Sequence, residues 1–226
     1  MKILFVSPDI FSFHNFRLNL VNKLIELGNE VILISPVKTS DKIRIDAIKK
    51  LGLKIIPINL NKNKVNPFSD IIYIFNLILK ILKYKPNIIF SYTIKPVIYS
   101  GIALYIVSFF NRNIYNINMI TGLGFIYTDI FSIKALILKP LIWFLYKISL
   151  MKSNTIIFQN SNDRKYFLNN NFLNKKIKTA LIRGSGVDLK KFRLASLPKE
   201  HTFLMTSRLL IDKGVREYVA AAKMVK

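Results

Sequence analysis

The 226-residue sequence contains no cysteine and only two histidines. Without cysteine there is no disulfide framework, no thiolate zinc site and no cysteine nucleophile. Two isolated histidines, His14 and His201, do not make a metal site. No segment has the Gly-x-Gly-x-x-Gly spacing of a nicotinamide-binding turn, and the first predicted loop has no glycine. These absences exclude several enzyme classes before any motif is considered.

Acidic residues are also scarce, with 12 against 35 basic residues and a net charge of +23. The excess is +9 over residues 1–100 (15 basic, 6 acidic), +11 over 101–200 (15 and 4) and +3 over 201–226 (5 and 2). Such a field favours nucleic acid, acidic lipids or phosphorylated substrates, although a compositional bias toward lysine is an alternative source of the charge. Because no DNA or RNA motif accompanies the charge, we expect no nucleic-acid partner.

Long apolar runs are missing too, although 51% of the residues are hydrophobic. The uncharged run Val97–Phe110 is shorter than the ~20 residues that a membrane-spanning helix needs. Lys134, Lys139 and Lys147 interrupt Ile130–Leu150, and a charge at the bilayer centre costs roughly 2.5–3.5 kcal/mol. We therefore expect contact with a membrane surface rather than a span.

Short apolar runs alternate with helical patterns along the chain. Strands that are apolar throughout and separated by helices predict a Rossmann-like, doubly wound parallel sheet. Such α/β folds bind ligands beyond the carboxyl ends of their strands. The predicted strands are Lys2–Ser7, Glu30–Ser35, Leu53–Ile58, Ile88–Ser91, Asn113–Ile120, Thr155–Gln159, Ile177–Ile182 and residues 202–206. The predicted helices are residues 16–27, Asp41–Leu51, Phe68–Tyr84, Pro96–Phe110, Ser132–Lys152, Asp163–Phe172 and Val215–Met224.

The most specific local pattern is Ser207-Arg208 followed by Lys213-Gly214, between a predicted strand and a helix. An arginine can clamp two oxygens of a diphosphate and a lysine adds a point charge, beside the positive end of the helix. The alternative, that both are solvated loop charges, stays open. Residues 193–200 read as a linker between domains at 1–192 and 201–226.

Glycine, polar or cationic residues follow other predicted strands, at the edge where ligands bind in such sheets. Glycines at this edge either let a ligand approach the backbone closely or form ordinary turns. A histidine there can donate a hydrogen bond to a sugar or phosphate, or cap a helix. A lysine there can bind the phosphate of an acceptor. For Asn160 and Asp163 we favour a helix cap. The remaining candidates are His14, Lys95, Thr121, Gly122, Gly124, Gly184 and Gly186.

Six stretches in this order resemble the GT4 family of retaining glycosyltransferases, which has the GT-B fold of two Rossmann-like domains. The similarity is to bacterial enzymes of surface-polysaccharide synthesis that add hexose or N-acetylhexosamine to polyprenyl-diphosphate-linked sugars. It spans essentially the whole chain. The stretches are HNFR (14–17), YTIKP (92–96), ITGLG (120–124), FQNSNDR (158–164), GSGVD (184–188) and SRLLIDKGVREYVAAAK (207–223).

The resemblance implies that the first domain binds the lipid-linked acceptor and the second binds a UDP-sugar donor. Arg208 and Lys213 match the catalytic cations that contact the donor diphosphate, so no metal or other cofactor is expected. Gly184 and Gly186 are assigned to the donor side. The enzyme is expected in the cytoplasm, peripheral at the inner face of the plasma membrane. Acceptor contacts are assigned to His14, Lys95, Thr121, Gly122 and Gly124.

Two features depart from the family pattern. Thr121-Gly122 stands where many members have a histidine, so that role does not transfer. The family's Glu-x7-Glu element falls beyond residue 226, so we expect a fragment that is inactive alone. The alternative is a non-catalytic subunit that binds lipid-linked sugar or acts as a scaffold, completed by a separate chain.

Overall fold

A computed structural model describes residues 1–60, 66–110, 113–123, 133–174 and 176–225, without the side chains of residues 133–138 and 212. The chain divides into two compact units, which we call unit 1 (Met1–Val187) and unit 2 (Asp188–Lys226). The domain boundaries at residues 192 and 200 stay a prediction.

Unit 1 contains a seven-stranded sheet in which all paired strands are parallel. Most residues of its central strands are apolar because helices cover both faces of the sheet, although the strand at residues 115–120 also buries Asn116 and Asn118. This confirms the predicted doubly wound fold. The strands are β1 (Lys2–Val6), β2 (Glu30–Ser35), β3 (Lys54–Pro57), β4 (Ile88–Tyr92), β5 (Tyr115–Ile120), β6 (Thr155–Phe158) and β7 (Lys178–Leu181).

The strand order is β3-β2-β1-β4-β5-β6-β7. The chain runs outward from β1 to β3, returns to place β4 beside β1, and then continues outward in the other direction. The order therefore reverses between β1 and β4, which is where open α/β sheets form their ligand crevice. Pro57 ends β3 at the edge of the sheet, as its missing N–H requires.

Two hydrophobic clusters lie on opposite faces of the sheet. The first and second helices pack on one face, and the third to sixth helices pack on the other. The fourth and fifth helices approach so closely that a Cβ added at Gly101 would overlap the Ser149 carbonyl group. The helices of unit 1 are α1 (Ile10–Glu26), α2 (Lys42–Lys50), α3 (Pro67–Tyr84), α4 (Ile94–Val107), α5 (Ile133–Leu150) and α6 (Ser161–Asn169).

Unit 2 contains a short 3₁₀ turn, Ile211–Lys213, and helix α7 (Val215–Val225). Among its described residues none is buried. The strand predicted over residues 202–206 is wrong, because this segment has no strand structure. Unit 2 contains no other strand among its described residues to pair with it, and a strand needs a hydrogen-bonded neighbour.

None of the helices in the described part of the chain is long and apolar enough to cross a membrane.

Candidate functional site

Three side-chain hydroxyl groups lie at the edge of the sheet where the strand order reverses, between β1 and β4. Ser7 follows β1 and Tyr92 ends β4, and their side-chain oxygens lie 2.6 Å apart. The Ser12 hydroxyl reaches the Tyr92 oxygen from α1 at 3.2 Å. Burial raises the pKa of Tyr92 to about 12, so this phenol stays protonated at neutral pH. The hydroxyls link the two strands at the point where a ligand crevice is expected.

Arg17 extends from α1 to the same edge and is 4% exposed. Its Cζ atom lies 4.8 Å from the centroid of the Tyr92 ring. Nη1 donates to the Ser185 hydroxyl at 2.9 Å and to the Phe16 carbonyl at 2.8 Å, and Nη2 lies 2.9 Å from the Met119 sulfur. One guanidinium thus touches the ends of β4 and β5 and the loop after β7.

Gln159, directly after β6, donates its side-chain amide to the same Ser185 hydroxyl at 3.2 Å. The structure therefore joins side chains that follow or end five of the seven strands. We call this set the switch-point cluster, and it consists of Ser7, Ser12, Arg17, Tyr92, Met119, Gln159 and Ser185.

Sequence reasoning did not single out Arg17 as a site residue. A signal was present, since Phe13, Arg17 and Val21 recur every four residues and all three are buried. A charged residue on the apolar face of a helix has to find polar partners. Burial also lowers the pKa of the Arg17 guanidinium, although an arginine remains charged at any physiological pH.

Lys95 lies in the first turn of α4, next to a backbone outlier. Thr93 has φ 67° and ψ 162°, a region that a β-branched residue rarely adopts. The Lys95 ammonium pairs with the Asp70 carboxylate of α3 at 2.9 Å, and both side chains are largely buried. Burial and then a hydrogen bond to Asp70 raise the pKa of Tyr99. Lys95 therefore already has a counterion, and its contact with an acceptor stays a prediction.

His14 lies within α1, so its predicted location in the first loop is wrong. The helix starts at Ile10 because the Asp9 carboxylate accepts the Ser12 backbone N–H at 2.6 Å, an N-cap that places the start earlier than the apolar spacing indicated. His14 is half-buried, and its Nδ1 lies 3.0 Å from the Asn15 side-chain oxygen.

Thr121 and Gly122 follow β5 at the carboxyl edge of the sheet. Gly122 has φ 146°, a conformation that favours glycine, and no described atom lies within 4 Å of a Cβ built there. The assigned role of Gly122 in acceptor binding stays a prediction. Gly124, assigned with them to acceptor binding, lies outside the described residues.

The donor-side candidates lie in both units. Gly184 and Gly186 flank Ser185 with φ 76° and 72°, conformations that favour glycine. In unit 2, Arg208 is exposed, and Lys213 ends the 3₁₀ turn just before Gly214, whose φ of 71° leads into α7. No cluster of histidine and carboxylate side chains suited to a metal ion occurs in the described part of the chain.

The interpretation of Asn160 and Asp163 as a helix cap is confirmed. The Asn160 side-chain oxygen accepts the Asp163 backbone N–H at 2.7 Å, and the Asn160 amide donates to the Asp163 carboxylate at 2.8 Å. This pair starts α6 and leaves Gln159 free to turn toward Ser185.

The sheet, its helices and the polar edge at the strand reversal define unit 1 as a Rossmann-like domain of the kind found in GT-B proteins. A family model described as "Glycosyl transferase 4-like" matches residues 2–160. The chain therefore belongs to this glycosyl transferase 4-like family.

A curated relative is the N,N'-diacetylbacillosaminyl-diphospho-undecaprenol alpha-1,3-N-acetylgalactosaminyltransferase of Campylobacter jejuni, 27% identical over 240 residues. The match covers 100% of this chain and 61% of that protein. This chain thus spans less than two thirds of the length of the curated relative.

Solved structures share the fold. A sucrose-phosphate synthase from Thermosynechococcus elongatus matches with a TM-score of 0.58 at 14% identity, covering 84% of this chain and 49% of that one. A glycosyltransferase from Rickettsia africae matches at 0.53 and 19% identity, with coverages of 88% and 46%. Acinetobacter baumannii MurG matches at 0.52 and 11% identity, with coverages of 84% and 47%.

Proposed function

We propose that this chain is the acceptor-binding part of a retaining glycosyltransferase. The complete enzyme transfers a hexose or N-acetylhexosamine from a UDP-sugar to a polyprenyl-diphosphate-linked saccharide. The observation that carries the proposal is the family match over residues 2–160, which includes six of the seven strands and the strand reversal. The Campylobacter relative, by its name, acts on a sugar linked to diphospho-undecaprenol, which supports an acceptor of this kind.

Arg208 and Lys213 have the chemistry required on the donor side. As the sugar leaves, negative charge grows on the donor diphosphate, and two cations held beside it stabilise the transition state more than the ground state. In this proposal Gly184 and Gly186 let the backbone approach the donor, and the two cations serve without a metal. The start of α7 adds free N–H groups beside Lys213.

The acceptor side of the proposal uses the carboxyl edge of unit 1. His14, Thr121 and Gly122 belong to elements that begin or continue just beyond β1 and β5. In this proposal Lys95 contacts the acceptor phosphate, and its ion pair with Asp70 holds it between α3 and α4 beside the strained Thr93. Gly124 completes the assigned set, and no contact of it is described.

The apolar outer face of α3 supports membrane docking. Phe68 is 75% exposed and Phe75 59% exposed, and Ile71, Ile72 and Leu79 are exposed beside them. These residues recur at helical spacing, while Tyr73, Leu77 and Ile81 on the opposite side of α3 pack into the core. A surface helix that is apolar on both sides needs an apolar partner outside the domain.

The charge of the chain suits an anionic membrane as that partner. The carboxylate of Asp70 on α3 is paired with Lys95, whereas Lys83 on the same helix is exposed. The sequence also suggests docking through Pro96–Phe110 and Ser132–Lys152. Most of α4 is buried between α3 and α5, whereas Phe109 and Phe110 after it, and Leu141 and Phe144 on α5, are exposed. Among the described side chains α3 has the most exposed large apolar residues, so α3 is the docking surface proposed here.

Flotation with liposomes tests the membrane part of the proposal. We expect the chain to float with vesicles that contain anionic lipid and to dissociate as salt is raised, because surface charges are screened within about 10 Å at 0.1 M. Equal flotation with neutral vesicles at high salt would contradict the electrostatic contribution.

A transfer assay tests the enzymatic part. We propose a chimera that joins residues 1–226 to the portion of the Campylobacter relative that the match does not cover. Incubated with UDP-N-acetylhexosamines and a polyprenyl-diphosphate-linked saccharide, it should extend the lipid-linked sugar. A chimera that folds and binds neither substrate would contradict the proposed activity.

A further inference from the structure

We propose that Arg17 and Gln159 form an oxyanion-binding site at the carboxyl edge of the sheet, closed by Ser185 and opened when a phosphate group displaces that hydroxyl. The ligand class is a phosphate or diphosphate. The inference goes beyond the proposed function, since it does not require this chain to transfer sugar.

The first observation is a buried positive charge that has no counterion among the described residues. In the described part of the chain no ion pair joins Arg17 to a carboxylate. Its partners are a hydroxyl, a main-chain carbonyl, a thioether sulfur and the Tyr92 ring, and no described atom accepts a hydrogen bond from its buried Nε–H. An anionic oxygen attracts a guanidinium more strongly than a neutral acceptor does, because both partners are then charged, and it can bind two N–H groups at once. A phosphate oxygen would therefore be a better partner than those present.

The second observation is that two donors converge on one oxygen. Arg17 Nη1 and the Gln159 amide both point to Ser185 Oγ, at 2.9 Å and 3.2 Å. A hydroxyl oxygen at such a point occupies the place that an anionic oxygen takes in a phosphate site. The same two donors become available together when Ser185 moves away.

The third observation is that the cover is a surface loop. Ser185 is exposed, and the glycines on either side of it have positive φ values, with no described atom within 4 Å of a Cβ built at either one. The core of unit 1 is not disturbed when this loop shifts, because Gly184, Ser185 and Gly186 bury no apolar side chain. A buried guanidinium can thus be reached by moving three exposed residues.

Titration of the ¹⁵N-labelled chain with inorganic pyrophosphate tests the site. The amide signals of Gly184 and Gly186 should shift and saturate at low millimolar pyrophosphate. A separate shift of Gly214 would report binding at Arg208 and Lys213 instead. Unchanged Gly184 and Gly186 signals would overturn the proposal.

Two matched pairs of variants sharpen the titration. Arg17→Met should weaken pyrophosphate binding at these glycines about tenfold to a hundredfold, whereas Arg44→Met, which removes an equal charge from α2, should change it less than about twofold. Ser185→Asp places a carboxylate on both donors and should abolish binding, whereas Val187→Asp adds the same charge to the same loop and should retain it. Because Ser185 is exposed, that variant remains informative even if Arg17→Met does not fold.

Equal losses in Ser185→Asp and Val187→Asp would overturn the site in favour of a diffuse charge effect. Parallel titrations with UDP and with farnesyl diphosphate then separate the two sources of the diphosphate. The ligand whose affinity falls most in Arg17→Met is the one that binds at this site. Failure of the transfer assay would leave these results unaffected, since they measure binding to unit 1 alone.

Discussion

Units 1 and 2 each contain a short apolar segment that resembles a strand in sequence, but only the segment in unit 1 forms one. Residues 2–6 become a strand with four of its five residues buried, because β2 and β4 pair with it on both sides. Residues 202–206 are also mostly apolar, yet they form no strand, and Phe203 and Leu204 remain exposed. The comparison teaches that an apolar run specifies a strand only when neighbouring strands satisfy its backbone groups.

The same difference separates the two sets of candidate site residues. The switch-point cluster of unit 1 lies in a packed environment, where hydrogen bonds and charges act strongly. Arg208 in unit 2 is exposed to water, where an ion pair contributes about 0–1 kcal/mol. Micromolar binding of a donor corresponds to about 8 kcal/mol. We therefore expect the 226-residue chain to bind the acceptor without turning over a donor.

The largest expected effect concerns the exposed cations of unit 2. In the chimera with the Campylobacter relative, Arg208→Ala and Lys213→Ala should each lower turnover about 10²–10³-fold, or 2.7–4 kcal/mol, because each removes a charge that stabilises the leaving diphosphate. Lys223→Ala, farther along α7, is the control and should retain turnover. If both site variants kept more than half of the parent rate, the diphosphate role would be wrong.

The next effect compares the exposed face of α3 with an exposed phenylalanine of unit 2. Phe75→Glu should reduce binding to anionic liposomes roughly 10–100-fold, since burying a phenylalanine in an apolar medium stabilises by about 1.5–3 kcal/mol. Phe203→Glu should change flotation little. A larger loss for Phe203→Glu would move the docking surface from α3 to unit 2.

The core of unit 1 provides the third test. Gly101→Ala should lower the free energy of unfolding by about 1–3 kcal/mol or more, because the added methyl group meets the Ser149 backbone where α4 and α5 touch. Ala221→Gly in the exposed helix α7 should leave the main thermal transition in place. Calorimetry measures both, and an unchanged transition for Gly101→Ala would contradict the close packing of these helices.

The smallest effect is a stabilisation. The Tyr73 hydroxyl is fully buried and has no hydrogen-bond partner among the described residues, and burial raises the pKa of this phenol. Tyr73→Phe should therefore stabilise unit 1 by about 1 kcal/mol in urea denaturation. Tyr218→Phe, which removes an exposed hydroxyl that donates to Phe203 in unit 2, should not change the midpoint. A destabilised Tyr73→Phe would reveal a partner for this hydroxyl.

The raised pKa of a buried phenol makes the free energy of unfolding of unit 1 depend on pH. Tyr92 has a folded-state pKa of about 12, above the usual value near 10 of an unfolded phenol. The unfolded chain therefore loses this proton first, and the stability that the neutral form contributes is present below pH 10 and lost between about pH 10 and 12. Denaturation series across this range should show the loss, which Tyr92→Phe should reduce.

Most of the fold was predictable from the alternation of apolar runs and helical patterns, and the strands of unit 1 lie within a few residues of their predicted bounds. The prediction failed at residues 202–206, because a strand forms only when a neighbouring strand pairs with it. It also failed at the start of α1, because the Asp9 cap fixes where that helix begins. The positive φ values of Gly122, Gly184 and Gly186 were predictable because glycine adopts such conformations readily, whereas the contacts of these residues with substrate stay predictions. Arg17 was not identified, because its partners Met119, Gln159 and Ser185 are distant in sequence.

Calorimetric titration of the 226-residue chain with both kinds of substrate tests the central claim most directly. We expect a polyprenyl-diphosphate-linked saccharide, presented in detergent, to bind saturably to unit 1. We expect UDP and UDP-N-acetylhexosamines to show no saturable binding below the millimolar range. Micromolar binding of a UDP-sugar, with no binding of the lipid-linked saccharide, would contradict the assignment of unit 1 to the acceptor.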